Sequence, residues 1–583
     1  MRFAVVAAAL EQLEGVTARH ILIRQLASLF GQAGRREIRP LVYLLQGQLR
    51  PAYEGVEAGL GEHVLMATIA QTWRSTPGAL ARRLTRLGDL GSVAASVAPP
   101  AGGGTITLLE VYRTLLAVAG TSGQGARSAK MDRLIALLRR ADRREAQYLV
   151  RFCQGRLRLG IGEQTVLEAA ALAALGDRRC KPELEAAYGV CADLGLVVEL
   201  AFSKGRRGLA RIAPRPGIPV RPALAQRMST AEAIVARLGR VQVEPKYDGL
   251  RLQLHRDGKR VWIFSRRLED LSPMFPELAR AARRQLRSRR VILEGEAIAF
   301  DAATGDFLPF QLTITRKRKS GVAEASARSP LRLFAFDLLY LGGRSCLGWP
   351  QSRRSRALGS VIRDVPGGLL APTELVVTTS ASRVQAGFEE MVQRGLEGIV
   401  AKRVDAPYHA GARGFDWVKL KRAYQSKLRD TVDLVLLGYQ QGRGQRAKLG
   451  IGSLLAGVYD PAKDRFRTVA RIGSGLTEAG WKQLRTRLDR DRVAQRPRNV
   501  DALIEPDVWV TPRIVVEVLA DEITRSPAHT CGKEGQNPGY ALRFPRLLRE
   551  RADRGITEAT TEKEILRLHR LSRRPTARMR GSP

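Results

Sequence analysis

The sequence predicts a multidomain chain in three parts: an all-α region, a mixed α/β region and a small β-barrel. Three observations carry that reading. Apolar residues recur at helical spacing from Met1 to about Ala213. A segment with four prolines, Ala213-Pro-Arg-Pro-Gly-Ile-Pro-Val-Arg-Pro222, then interrupts the pattern. Beyond it, short alternating strand-like runs take over, and helical and strand periods are read from such spacing. At about 150 residues per domain, 583 residues leave room for three or four.

The first part, residues 1–213, includes HILIRQLASLF and KMDRLIALLRR, whose apolar positions fall three and four apart. The opening MRFAVVAAALEQLE lacks the basic start of a signal peptide and reads as a helix of the folded protein. Ala98-Pro-Pro-Ala-Gly-Gly-Gly104 reads as an exposed loop. The proline segment reads as extended and semi-rigid, the first boundary. In the second part, residues 214–424, VQVEPKYDGLRLQLHRDGKRVWIFSRR reads as strands joined by Asp-Gly turns, followed by strand-like VILEGEAIAF, LRLFAFDLLYL and GIVAKR. The third part, residues 425–583, carries the short strands TVDLVLLGY, SLLAGVYD, FRTVARIG and RIVVEVLADEIT, the signature of a small barrel. After Ile565 a last helix and a disordered basic tail are predicted.

The charge sets the partner class. Lys and Arg total 97 against 57 acidic residues, a net of +40 spread along the chain. Self-repulsion on that scale disfavours compactness unless a polyanion neutralises it, and phosphate contacts release counterions. Five cysteines lie far apart with no Cys-x-x-Cys pair, which argues against a disulfide framework or zinc module and fits a reducing compartment. No apolar run is long enough for a membrane span.

The chemistry concentrates in the second part. Lys246-Tyr-Asp-Gly249 follows a strand and presents an amine. Such a lysine becomes a nucleophile when neighbouring cations or desolvation activate it. Alone, the tetrapeptide reads as a surface hairpin. Downstream, Glu294-Gly-Glu296 closes one strand and Glu397-Gly398 opens another, and carboxylates at strand ends suit Mg²⁺ beside phosphates. Lys402 follows five residues after Glu397. Lys419 and Lys421 alternate, so both face one side of a strand. Phe336 is placed either in the core or against a base.

These segments resemble the nucleotidyltransferase motifs of ATP-dependent DNA ligases and mRNA capping enzymes. EPKYDGLR resembles the nucleophile motif. The resemblance implies adenylation of Lys246, with Glu244 on the adenine amine and Arg251 at the ribose or phosphate. FSRRLEDLSPMFPEL supplies Arg266, LEGEAIAFD supplies Glu296 near ribose and metal, and FAFDLLYLGG places Phe336 on adenine. EGIVAKR implies Glu397 as a metal ligand and Lys402 near the α-phosphate. WVKLKR puts Lys419 and Lys421 on that phosphate, and Arg413 and Trp417 match the same stretch. FLPFQLTITRKRK, LEQLEGVTAR and LRLGIGEQTVLEA are similar to segments of replicative-type DNA ligases of prokaryotic type, and LRFPRLLRERADRGITEATT supplies Arg551 with Asp553. Arg554, Arg267 and Arg221 depart from the residues commonest there.

The resemblance covers nearly the whole chain. It implies a helical DNA-binding domain (1–213), an adenylation domain (214–424) and an OB-fold domain (425–583). It implies ATP and Mg²⁺ as cofactors, with Mn²⁺ as a substitute. Nicked duplex DNA is the implied substrate, sealed through lysyl-AMP and DNA-adenylate intermediates in replication, repair and recombination. A cytoplasmic, nucleoid-associated monomer is expected, with a sliding clamp as a compatible partner.

Overall fold

The computed structural model describes all residues except 17, 101–104, 156, 158, 160, 302–306, 309, 319, 395, 422–430, 443–448, 462, 521 and 573–583. The chain divides into two compact units, Met1–Leu420 and Lys421–Pro583. The expected 424/425 boundary, part of the glycine loop at 98–104 and the tail beyond 572 fall outside the described residues.

In the first unit the helical periodicity is realised from Phe3–Glu14 to Leu194–Ala210. HILIRQLASLF lies in the helix Arg19–Gln32 and KMDRLIALL in Ala126–Leu138. Their apolar faces join one core containing Phe3, Leu26, Leu41, Leu115 and Leu167. Acidic N-caps hold helix starts and carry buried charge that needs a partner. Asp89 accepts from Ser92 N and from Arg151 Nε at 2.9 Å. Asp193 accepts from Leu196 N and from Arg39 Nη2 at 2.6 Å.

The proline segment is not the extended linker expected. Arg215 bridges Ile218 across a turn whose Gly217, at φ 91°, lies against the Trp262 ring. Val220 is fully buried and exchanges two hydrogen bonds with the Gln253 amide. Arg221 pairs with Glu163 at 2.8 Å and lies over the Tyr188 ring, so the segment is packed against both its neighbours.

The strand-rich part of this unit has two sheets. The first runs β1 (Leu224–Arg227), β11 (Arg413–Lys421), β10 (Gly398–Arg403), β2 (Val241–Pro245), β9 (Val376–Thr378). The second runs β4 (Arg260–Ser265), β3 (Leu250–Asp257), β5 (Arg290–Ala299), β6 (Leu331–Leu341), β7 (Arg344–Ser345), with β8 (Leu370–Pro372) on β6. Alternation fixes the faces. Val241, Val243, Ile399, Ala401, Val418 and Leu420 bury against the helices Ala231–Leu238 and Ala381–Gln393. Leu252, Leu254, Leu293, Ala297, Leu333 and Ala335 form the core of the second sheet with the helices Pro276–Gln285 and Gln351–Val361. Gln242, Gln253, Glu294, Glu296 and Lys419 alternate with these apolar residues and occupy the opposite faces.

The two Asp-Gly signals differ. Asp257-Gly258 makes the predicted hairpin: β3 pairs antiparallel with β4, and Gly258 has φ 59°. Lys246-Tyr-Asp-Gly249 does not. Its preceding strand β2 belongs to the first sheet and its following strand β3 to the second, so the tetrapeptide crosses between sheets.

The second unit forms a sheet running β15 (Arg492–Val493), β17 (Val508–Val510), β12 (Val432–Gln441), β13 (Ile451–Asp460), β14 (Arg465–Ile472), β16 (Val500–Asp501). Beside it, β18 (Val515–Leu519) joins β12 to β21 (Arg546–Glu550), and β19 (Glu522–Ser526) pairs with β20 (Gly539–Arg543). The strands, antiparallel except for β16 beside β14, form a strand-rich half-barrel around Leu434, Leu454, Val469 and Val516, packed with Trp481, Leu484 and Leu488 of the helix Glu478–Arg490. The last helix is Glu562–Ser572.

Candidate active site

Lys246 extends the β2–β10 ladder by one residue. Its N–H donates to the Gly398 carbonyl at 2.9 Å, and its own carbonyl accepts from Glu397 N at 3.3 Å. The backbone therefore fixes Lys246 opposite Glu397, and the side chains meet in an ion pair that is 20% and 23% exposed. Tyr247 turns inward and stacks on Phe334 at 4.5 Å, anchoring the crossover. Gly249 is required by close approach: a Cβ there would lie 2.4 Å from the Ala297 carbonyl oxygen on β5.

Two residues earlier on the same face, Glu244 is 3% exposed. Burial pushes its carboxyl up, an effect opposed by the Lys402 ammonium and the Gln242 amide. Lys402 Nζ lies 2.8 Å from Glu244 Oε2 and donates to the Phe336 carbonyl at 2.7 Å. The same amine sits over the faces of Trp417 and Phe336, at 4.3 and 4.9 Å. Gln242 Nε2 donates to Glu244 Oε1 and to Ser355 Oγ. Lys402, expected near a phosphate, thus has its ammonium occupied by a carboxylate, a carbonyl and two rings, at 1% exposure.

Phe336 reaches the site through a bulge. Glu294 pairs with Asp337 and Gly295 with Ala335, so β6 carries Phe336 as an extra residue. Bulges of this kind re-aim side chains beside functional sites. Here the bulge turns the ring edge-on to Trp417, with centroids 6.1 Å apart.

The second sheet contributes Arg251, Glu294 and Glu296. Arg251 Nη2 pairs with Glu294 at 2.8 Å and Nη1 donates to the Ala223 carbonyl. Burial disfavours the Arg251 cation, but Glu294 and its other neighbours, Glu296 among them, together outweigh burial and hold the guanidinium above its ordinary range. Tyr408 O–H and Gln253 also donate to Glu294. Burial pushes the Glu296 carboxyl up to about 7, partly offset by Lys246 and Arg251.

Lys419 and Lys421 lie on β11 with Trp417, on the face opposite Val418 and Leu420. Arg413 begins that strand; its side chain lies outside the described residues. Arg266 is exposed just after β4. Arg551 belongs to the second unit, where it pairs with Asp553 at 2.8 Å and Asp433 at 3.3 Å. Its hydrogen bonds hold Asp553 down to about 2. Arg554 also pairs with Asp433, at 2.9 Å.

Sequence reasoning assigned no role to Gln242 or Tyr408, and read Glu294 only as a strand-end carboxylate rather than as the partner of Arg251. For the Glu294 pairing a signal existed: Glu294 and Glu296 alternate on β5 as Arg251 and Gln253 do on β3, which sets four polar side chains on one face. No group of three or more His, Cys, Asp or Glu fit to hold a metal occurs among the described residues. Glu296 and Glu397 are hard oxygen donors, and one or two carboxylates suffice where substrate phosphates and water complete a Mg²⁺ shell. The donor set fits that ion. Among the described residues, no helix is long and apolar enough to cross a membrane.

Comparisons with known proteins agree over nearly the whole length. Residues 2–171 match the family model "DNA ligase N terminus", 222–421 "ATP dependent DNA ligase domain" and 447–554 "ATP dependent DNA ligase C terminal region". The chain is 45% identical over 571 residues to a "Probable DNA ligase" of Dictyoglomus thermophilum, covering 98% of each. It is 37% identical over 594 residues to a "DNA ligase" of Hyperthermus butylicus, covering 98% of this chain and 97% of that protein. The solved structure Pmar-Lig_PreS3 is similar in fold, with a TM-score of 0.55 at 16% identity over 94% of this chain and 99% of that one.

Proposed function

The chain belongs to the ATP-dependent DNA ligase family, enzymes that seal nicks in DNA, and on that premise we propose that Lys246 is the residue that becomes adenylated. The observation that carries the assignment is its position. Lys246 stands at the crossover between two sheets with its amine on Glu397, one turn of alternation away from the Glu244, Phe336 and Trp417 cluster.

In the first step the Lys246 amine attacks the α-phosphorus of ATP. The phosphorus–nitrogen bond forms, the bond to the pyrophosphate oxygen breaks, and pyrophosphate leaves with the electron pair. The AMP then passes to the 5′-phosphate at a nick, and the 3′-hydroxyl attacks that phosphate to release AMP. Positioning and electrostatic stabilisation supply most of the rate in phosphoryl transfer. Lys419, Lys421 and Arg413 would hold the α-phosphate, Arg251 and Arg266 the ribose–phosphate region, and Arg551 the pyrophosphate end. Phe336 would stack on adenine while Glu244 accepts from its amine. Mg²⁺, or Mn²⁺ in its place, would be held by Glu296 and Glu397 and would polarise phosphoryl oxygens.

The same reading divides the chain into a helical DNA-binding domain (1–213), an adenylation domain (214–424) and an OB-fold domain (425–583). A ligase must accept any sequence, so contacts to phosphates dominate. The net charge of +40 supports this and implies affinity that falls steeply with salt. We place the enzyme in replication, repair and recombination as a monomer, with a sliding clamp as an accessory partner.

The test is incubation with α-labelled ATP and Mg²⁺, followed by nicked duplex DNA. Label on the wild-type chain, absent from Lys246→Ala and chased into a sealed strand with release of AMP, is the expected result. Label that persists on Lys246→Ala overturns the nucleophile.

A further inference from the structure

We propose that Lys402 is a specificity-determining positioning residue: its ammonium, paired with Glu244, keeps that carboxylate a pure hydrogen-bond acceptor and thereby selects adenine over guanine. This rests on the reading above, in which Glu244 meets the base. The phosphate role implied for Lys402 leaves its surroundings unexplained. The amine is 1% exposed, and its partners are Glu244 Oε2 at 2.8 Å and the Phe336 carbonyl at 2.7 Å. Both belong to groups placed at the base, one at its edge and one at its face. The rings of Trp417 and Phe336 complete the cage at 4.3 and 4.9 Å.

The chemistry follows from which groups donate. An ionised carboxylate only accepts hydrogen bonds, whereas a protonated one also donates. Adenine presents an amine at its 6-position and guanine a carbonyl. At the 6-position a carboxylate therefore accepts from the adenine amine and repels the guanine carbonyl, while a carboxylic acid suits that carbonyl as well. A carboxyl at 3% exposure is driven toward the neutral form unless a cation opposes it. Lys402 is that cation. Gln242, anchored on Ser355 Oγ at 2.9 Å, donates to the other carboxylate oxygen and fixes its plane. Lys402 also ties the bulged Phe336 carbonyl to Glu244, so the stacking ring and the edge-reading carboxylate are set by one ammonium.

The experiment compares formation of labelled enzyme from α-labelled ATP and from α-labelled GTP, by initial rate against nucleotide concentration. The chains compared are the full-length wild type, Lys402→Met, Lys402→Arg, Glu244→Gln and Glu244→Gln/Lys402→Met. In Lys402→Met the preference for ATP falls by about tenfold or more, mainly through KM, because a mispaired buried polar group costs roughly that factor. Lys402→Arg retains the preference. The double variant carries no unpaired buried charge, so it stays measurable even where Lys402→Met fails to fold, and it discriminates no worse than Glu244→Gln alone. A wild-type preference in folded Lys402→Met, or a further loss in the double variant over Glu244→Gln, overturns the inference and leaves Glu244 at the base. A wild-type preference in Glu244→Gln overturns the placement of the base itself.

Discussion

Two lysine–glutamate pairs belong to the same β2–β10 ladder, one at its end and one within it, and they are built for different tasks. Lys246–Glu397 lies where the ladder runs out, with side chains 20% and 23% exposed. Lys402–Glu244 lies within it, at 1% and 3%. Partly solvated charges separate at little cost, since such pairs are worth about 0–1 kcal/mol. Buried charges do not: removing one partner strands the other at about 3–5 kcal/mol. A nucleophile must leave its partner to attack, and a group that shapes a pocket must stay. The depth of each pair sets which it can do.

The contrast can be broken experimentally. Lys246→Ala should abolish the covalent adenylate, a loss of about 10⁴-fold or more expected of a missing nucleophile, while thermal unfolding stays near wild type. A large loss of stability would place Lys246 with the structural pairs. Lys402→Met should do the reverse in denaturant titrations, costing about 3–5 kcal/mol, most of it recovered in Glu244→Gln/Lys402→Met. If the single change costs under about 1 kcal/mol, the buried pair is not the structural element its depth implies. Glu397→Gln should slow adenylation by about 10²-fold, the scale of one lost electrostatic contact, with a stability change within about 1 kcal/mol.

A second buried base sharpens the same distinction. His255 is fully buried on β3, accepts from Gly217 N and faces Gln253, and burial without a carboxylate partner holds it down to about 3. The unfolded chain then binds a proton that the folded one refuses between pH 6.5 and about 3. Stability should fall as pH drops through that window, by up to about 1.4 kcal/mol per pH unit. His255→Gln should flatten that slope by one proton. An unchanged slope would show that the histidine takes up its proton in the folded chain.

Much of this was legible because it is local. Alternation separates Val241 and Val243 from Gln242 and Glu244 without reference to anything distant. The same rule sorts Val418 and Leu420 from Trp417, Lys419 and Lys421. The motif spacing singled out Lys246, Glu296 and Glu397, and the structure sets Lys246 against Glu397 and within electrostatic reach of Glu296. Other features escaped because they depend on what a segment meets. Asp248-Gly249 carries the same turn signal as Asp257-Gly258, yet one crosses between sheets and the other closes a hairpin. The proline segment reads as a spacer, but Gly217 meets Trp262 and Val220 meets Gln253.

The sequence by itself determined the order of helical and strand-rich parts, the faces of each strand, the basic character and the lysine proposed as the nucleophile. These follow from periodicity, charge and short motifs, which are properties of neighbouring residues. Only the tertiary structure decided depth and partnership: that Lys402 is held by Glu244 and Phe336, that Arg251 is paired with Glu294, and that a bulge in β6 turns Phe336 toward Trp417. Alternation tells which way a side chain points, but the free energy of a charge depends on how far water has been removed and what replaces it, and both are set by chain segments tens to hundreds of residues away.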